Sequence, residues 1–76
     1  MQPPDKELDA RGLVCPLPIL RTKQSLANMT SGQILKIIAT DPGSVIDLQV
    51  FAEQTGNELL HLTQTELEFV FVLRKR

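Results

Sequence analysis

Pro16 and Pro18 directly follow the only cysteine of the chain, Cys15. Proline lacks an amide N–H and fixes φ, so two of them this close would break the interior of a helix. The first turn of a helix tolerates both, because its N–H groups have no intrahelical partner there. A helix therefore starts at this point, and whatever precedes Cys15 belongs to another element. From Ile19 the spacing is helical: Ile19, Leu20, Leu26 and Ala27 share a face, with Arg21, Gln24, Ser25 and Asn28 elsewhere. Lys23 falls on the apolar stripe, where its stem can lie along the core while the ammonium reaches water. Ser31-Gly32 is expected to end the helix, Gly32 supplying a positive φ.

The rest of the chain alternates between the two regular periods. Glu7 to Ala10 reads as a short strand followed by a turn at Arg11-Gly12. Gln33 to Thr40 reads as a strand with Leu35, Ile37 and Ala39 on one side and Ile34, Lys36, Ile38 and Thr40 on the other. Asp41-Pro42-Gly43-Ser44 is turn chemistry, with Ser44 expected to cap a second helix and Asp47 to complete a loose capping box. Val45, Leu48, Phe51 and Ala52 form the stripe of that helix, and Gly56 is its expected stop. Glu58 to Thr63 and Glu68 to Arg74 are two more strands, joined by a turn at Thr65-Glu66.

The order β-α-β-α-β-β predicts an α/β (α+β) fold, a two-layer sandwich with a four-stranded mixed sheet and both helices on one face. Leu35, Ile37, Phe69 and Phe71 are the expected core. The opposite sheet face then shows Ile34, Ile38, Val70 and Val72 beside Lys36 and Glu68. At 76 residues there is length for one small domain, expected over residues 7–76 behind a flexible tail at residues 1–6.

Composition narrows the function classes. With 42% hydrophobic and 22% charged residues, the chain is globular rather than disordered. A net charge of −1 disfavours nonspecific DNA binding, and the absence of Tyr and Trp leaves little to stack on bases, so no direct nucleic-acid partner is expected. One cysteine excludes an internal disulfide or a cysteine-rich metal site. His61 adds one soft ligand on a strand, so no metal is expected, nor any cofactor. Apolar runs are too short to span a membrane, and the acidic first residues are no secretion signal. The expected setting is soluble, reducing and cytoplasmic.

Cys15 is the chemical candidate. A lone cysteine is more often buried than functional, but this one precedes a helix, where free N–H groups and the positive dipole end favour a thiolate. Such an end is worth about 0.3–1 kcal/mol, enough to bring a thiol of about 8.5 down to about 7.8. Arg11 would add to this if its loop folded back. No Cys-His pair is present, so the expected chemistry is a thiol that receives a group from an activated donor. Asp41 is expected in a turn or cap. Arg74, Lys75 and Arg76, with Arg11, Arg21 and Lys23, are basic residues of the kind that usually are only solvated; Arg21 and Lys23 would attract an acidic partner surface if they flanked the Cys15 end.

The stretch Leu8-Asp9-Ala10-Arg11-Gly12-Leu13-Val14-Cys15-Pro16-Leu17-Pro18 resembles the signature of the TusA/SirA-like sulfur-carrier family, whose hallmark is Cys-Pro-x-Pro. The resemblance continues through Asn28-Met29, Gly32, Thr40-Asp41-Pro42 and Arg74-Lys75. It implies the same βαβαββ fold and a persulfide on Cys15. Pro16 and Pro18 would stiffen the turn that presents the sulfur, and Asp9, Arg11 and Gly12 would shape the loop before it. The implied partners are a cysteine desulfurase or other sulfur donor and a downstream relay protein. Family routes include 2-thiouridine in tRNA, molybdenum-cofactor supply, sulfur oxidation, selenium metabolism and thiosulfate uptake. Leu17 stands where some tRNA-thiolation members carry an acidic residue; with Arg21 it is a candidate partner contact. Two other readings compete: a noncatalytic interaction module that uses the open sheet face, and a thiol peroxidase or reductase, weakened by the missing resolving cysteine and base.

Overall fold

The computed structural model describes residues 3–76. Its elements run β1 (Lys6–Ala10), α1 (Leu17–Ala27), β2 (Ile34–Ala39), α2 (Ser44–Thr55), β3 (Glu58–Gln64) and β4 (Phe69–Arg74). The sheet order is β1-β2-β4-β3. β1 and β2 are parallel, because a helix joins them; β4 is antiparallel to both β2 and β3. The expected mixed sheet of four strands is present. One face of it carries Ala10, Leu35, Ile37, Ala39, Phe69, Phe71 and Leu73 into a single cluster with Leu26 of α1, Met29 just beyond its end, and Leu48, Phe51 and Ala52 of α2. Both helices therefore cover the same face, and the four expected core residues are all buried.

The alternation in β2 leaves Lys36 and Ile38 half-buried on the other face, beside Val70 and Val72 of β4. Ile34 is the exception there, at 2% exposure. Ion pairs border this face: Lys36 with Glu7 at 3.8 Å, and Arg74 with Glu58. A shift in register between Leu59 and His61 absorbs one extra residue in β3, as a bulge does. His61 is exposed beyond it, opposite Val72.

Several expectations need correction. The tail is shorter than residues 1–6: the Asp5 N–H donates to the Ile34 carbonyl at 2.8 Å, the Asp5 carboxylate accepts the Ile34 N–H at 2.7 Å, and Lys6 is already in β1. Met1 and Gln2 lie outside the described residues. The helical face of α1 is also rotated. Pro18, Thr22, Ser25 and Leu26 are buried, while Leu20 is 47% exposed and Ala27 faces water. A hydroxyl can occupy the inner face because it bonds back into its own helix: Thr22 Oγ1 donates to the Pro18 carbonyl at 2.8 Å. Small side chains there suit a helix packed close to the sheet. The helix stops at Ala27, and Gly32 takes φ +88° in the loop before β2 rather than at the cap. Lys75 closes that helix end instead, its Nζ donating to the Leu26 carbonyl at 2.8 Å, a cation where the dipole favours one.

Ser44 does not cap α2. It is the first helical residue, 1% exposed, and its hydroxyl donates back to the Asp41 carbonyl at 2.6 Å. The cap position is Gly43, and no side-chain capping bond forms. Asp47 is thus released from the expected capping box. Gly56 does stop α2, with φ +77°. Thr65 and Glu68 exchange bonds across the β3–β4 turn, with the Thr65 N–H donating to the Glu68 carbonyl at 2.8 Å.

Candidate functional site

Because β1 and β2 are parallel neighbours, the loops leaving their C-terminal ends lie side by side. Open α/β sheets place ligand chemistry at this edge. The first loop runs from Arg11 to Pro16. The Asp9 carboxylate accepts three bonds from Arg11: the backbone N–H at 3.1 Å, Nε at 2.9 Å and Nη2 at 3.0 Å. Arg11 Nη1 reaches Glu68 Oε2 at 3.4 Å. Gly12 turns the chain at φ +80°, and its N–H donates to Thr40 Oγ1 at 2.9 Å. Three positions later the Cys15 N–H donates to Asp41 Oδ2 at 2.9 Å, while Asp41 Oδ1 accepts the Gly43 N–H at 3.2 Å. The end of β2 therefore latches the cysteine loop at two points. Asp41 holds its own turn and the backbone of Cys15 at once.

Cys15 is exposed and is the free thiol of the chain. Pro16 follows it through a cis peptide bond and occupies the cap position of α1; Pro18 lies in the first turn. The two prolines differ in environment, Pro16 being exposed and Pro18 buried. The thiol sits at a groove of about 320 Å³ between the helices, lined by Cys15, Pro16, Ile19 and Lys23 on one side and Asp47, Val50, Phe51 and Gln54 on the other. Around it the chain exposes apolar side chains: Val14 at 64%, Leu17 at 39%, and Ile46 and Val50 one turn apart on α2. Lys23 faces the groove, whereas Arg21, exposed on α1, is not among its lining residues.

The electrostatics reverse the expected direction. The Cys15 thiol is pushed above its ordinary value, first by the hydrogen-bonding pull of the Asp47 carboxylate across the groove, then by partial loss of water, and by the negative charges of Asp47 and Asp41. Cys15 precedes the cap rather than lying in the first helical turn, and the groups that act on its sulfur are acidic. Arg11, expected to help a thiolate, is engaged by Asp9 and Glu68 instead. The sequence favours a turn or cap role for Asp41 over a catalytic one, and a capping role for Asp47; the structure brings both to the cysteine. The signal that could have found Asp41 was the parallel β1–β2 pairing, which brings the loop after β2 to the loop after β1.

Asp9 is held near a pKa of about 2, chiefly by the side-chain hydrogen bond from Arg11 and then by the Arg11 backbone N–H. Its folded value lies below the ordinary 3.8. The contribution of the pair is therefore complete above that ordinary value and is lost as pH falls towards about 2. An NMR titration of the side-chain carboxyl is expected to show Asp9 still ionised where exposed carboxyls have already protonated. Both partners are more than half exposed, so the pair shapes the loop more than it stabilises the protein.

No group of metal-ligating residues is present among the described residues, and none of their helices is long and apolar enough to cross a membrane.

Comparison with known proteins converges on one family. The family described as "Sulfurtransferase TusA" matches residues 6–75. A protein named sulfur carrier protein TusA from Allochromatium vinosum is 58% identical over 71 residues, 93% of each chain. One of the same name from Pseudomonas putida is 40% identical over 73 residues, 96% of this chain and 91% of its own. The crystal structure of a SirA-like protein from Desulfitobacterium hafniense superposes with a TM-score of 0.77 at 26% identity, covering 93% of this chain and 99% of that one.

Proposed function

The chain belongs to the TusA sulfurtransferase family, and from that premise we propose that it is a sulfur carrier whose Cys15 accepts sulfane sulfur as a persulfide and passes it to another protein. The observation that carries this reading is the exposure of the chain's one thiol on a loop latched at both ends, beside an open groove. Relatives that bear the sulfur-carrier name support it over the interaction module and the thiol oxidoreductase.

The chemistry follows from a single thiol. The Cys15 thiolate attacks the terminal sulfur of a donor persulfide, R–S–SH. A new S–S bond forms at Cys15, the donor's S–S bond breaks, and the donor sulfur leaves with the electron pair as a thiol, taking the proton that Cys15 lost. No oxidant is consumed. Discharge is the same exchange in reverse direction to an outside thiol, because the chain has no second cysteine with which to expel sulfur as an internal disulfide. A cysteine desulfurase fits the donor role and a relay protein with a reactive cysteine the acceptor role. Val14, Leu17 and Val50 would bury against an apolar collar on the partner, with Lys23 and Arg21 meeting acidic groups at its rim. In that arrangement Asp9, Arg11 and Gly12 fix the approach loop, and Pro16 and Pro18 fix the exit into α1.

Intact-mass measurement tests the proposal. Incubation with a cysteine desulfurase, cysteine and pyridoxal phosphate is expected to add one sulfur to the protein, and dithiothreitol to remove it. An unchanged mass beside a demonstrably active desulfurase would refute that donor assignment, and failure with other persulfide donors would refute the carrier reading.

A further inference from the structure

Asp47 has no structural task of its own in α2. It makes no side-chain capping bond, no ion pair engages it among the described residues, and it lines the same groove as Cys15. It lies in the first turn of α2, the end of a helix where a negative charge is favoured. The other charged groups around the sulfur are Asp41, whose carboxylate already holds the Cys15 N–H at 2.9 Å, and Lys23, which faces the groove from α1. An ionised carboxylate can only accept a hydrogen bond, so beside it the sulfur gains by keeping its proton and loses by shedding it.

We propose that Asp47 is a positioning residue that holds the unloaded Cys15 as a protonated thiol, so that the exposed sulfur stays a weak nucleophile until the Asp47 carboxylate is neutralised. This rests on the carrier reading and adds a restraint to it. The direction of the Cys15 shift, with Asp47 as its largest cause, agrees. The reactive species in both exchange and oxidation is the thiolate. A carrier that met small oxidants and disulfides as a bare thiolate would be capped or oxidised between encounters. Held as a thiol, it waits. A donor that covers the groove and sets a positive charge against Asp47 would remove the repulsion and release the thiolate at the moment of transfer. The groove is open and borders the sulfur, so such a contact needs no rearrangement of the core.

The test is the pH profile of Cys15 alkylation by iodoacetamide, in the full chain and without any sulfur donor. For the wild type the midpoint is expected above the value of about 8.5 of a free thiol. Asp47→Asn is expected to move the midpoint down and to raise the rate at neutral pH about threefold to tenfold, one pKa unit being tenfold in thiolate. Glu53→Gln, an exposed change on the same helix, is expected to leave the profile in place. A wild-type midpoint at or below that of a free thiol overturns the proposal even if Asp47→Asn fails to fold. So does a folded Asp47→Asn protein whose profile superposes on the wild type. Sulfur loading separates this from the carrier reading: a shifted profile with no loading from any donor would sink the carrier and leave the restraint, and loading with superposed profiles would do the opposite.

Discussion

Cys15→Ser is expected to abolish sulfur loading completely while leaving the fold untouched. The loss is total because the chain holds no other thiol and a hydroxyl does not accept sulfane sulfur at neutral pH. The fold survives because the side chain is exposed and the contact that positions the residue is made by its backbone N–H, to Asp41 at 2.9 Å. Serine keeps that N–H. Surface changes of this kind alter stability by about 0.5 kcal/mol or less. The measurement is paired: intact mass after loading, and a urea unfolding curve. A Cys15→Ser protein that still gained sulfur would show that the acceptor is elsewhere.

The second large effect lies in the core. Phe71 is fully buried in β4, the strand with neighbours on both sides, opposite Ile37 of β2 and Leu62 of β3. Phe71→Ala removes most of the ring's contacts with both layers and is expected to cost about 3–5 kcal/mol. A chain of this length has a total stability of about 4–11 kcal/mol, so the variant sits at the edge of folding. With a urea slope of about 1 kcal/mol/M for so small a domain, the unfolding midpoint should fall by about 3 M or vanish into a broad, incomplete transition. Val72→Ala, one residue along on the half-buried outer face, should cost about 1 kcal/mol. Equal effects at the two positions would contradict the assignment of inner and outer faces.

The contrast between Phe71 and Val72 also shows what was legible in the sequence. Strand alternation in Ile34 to Ala39 and Phe69 to Arg74 identified the buried face, because the period of two leaves a side chain only two directions. The paired prolines located the start of α1, and Gly56 the end of α2. The inner face of α1 is not legible from its apolar side chains, because Leu20 and Ala27 face water. Thr22 and Ser25 are inner residues instead, and no count of hydrophobicity foretells that a hydroxyl will satisfy itself against the carbonyl of its own helix.

The site divides along the same line. Cys15 and its loop were legible because the motif is contiguous. Its electrostatics were not, since they are set by residues distant in sequence. Asp41 lies 26 residues from Cys15 and bonds its backbone; Asp47 looked like half of a capping box until Ser44 turned out to bond to the Asp41 carbonyl. Local reasoning saw a helix start and expected a favoured thiolate. The tertiary structure sets two carboxylates against that sulfur, and a charge close to the thiol outweighs the partial charge of a helix end that the cysteine only precedes. For a carrier the consequence is a thiol that is accessible without being indiscriminately reactive.

The most direct measurement of the central claim locates the transferred sulfur by residue. After loading by a donor persulfide, the protein is trapped with iodoacetamide and digested with trypsin, which cuts after Arg11 and Arg21 and releases Cys15 in the peptide 12–21. The account predicts that this peptide carries one additional sulfur between Cys15 and the alkyl group, that the label disappears after incubation with an acceptor thiol, and that every other peptide is unchanged. A peptide 12–21 that is alkylated without the additional sulfur, from a preparation in which the donor has discharged its persulfide, would contradict it.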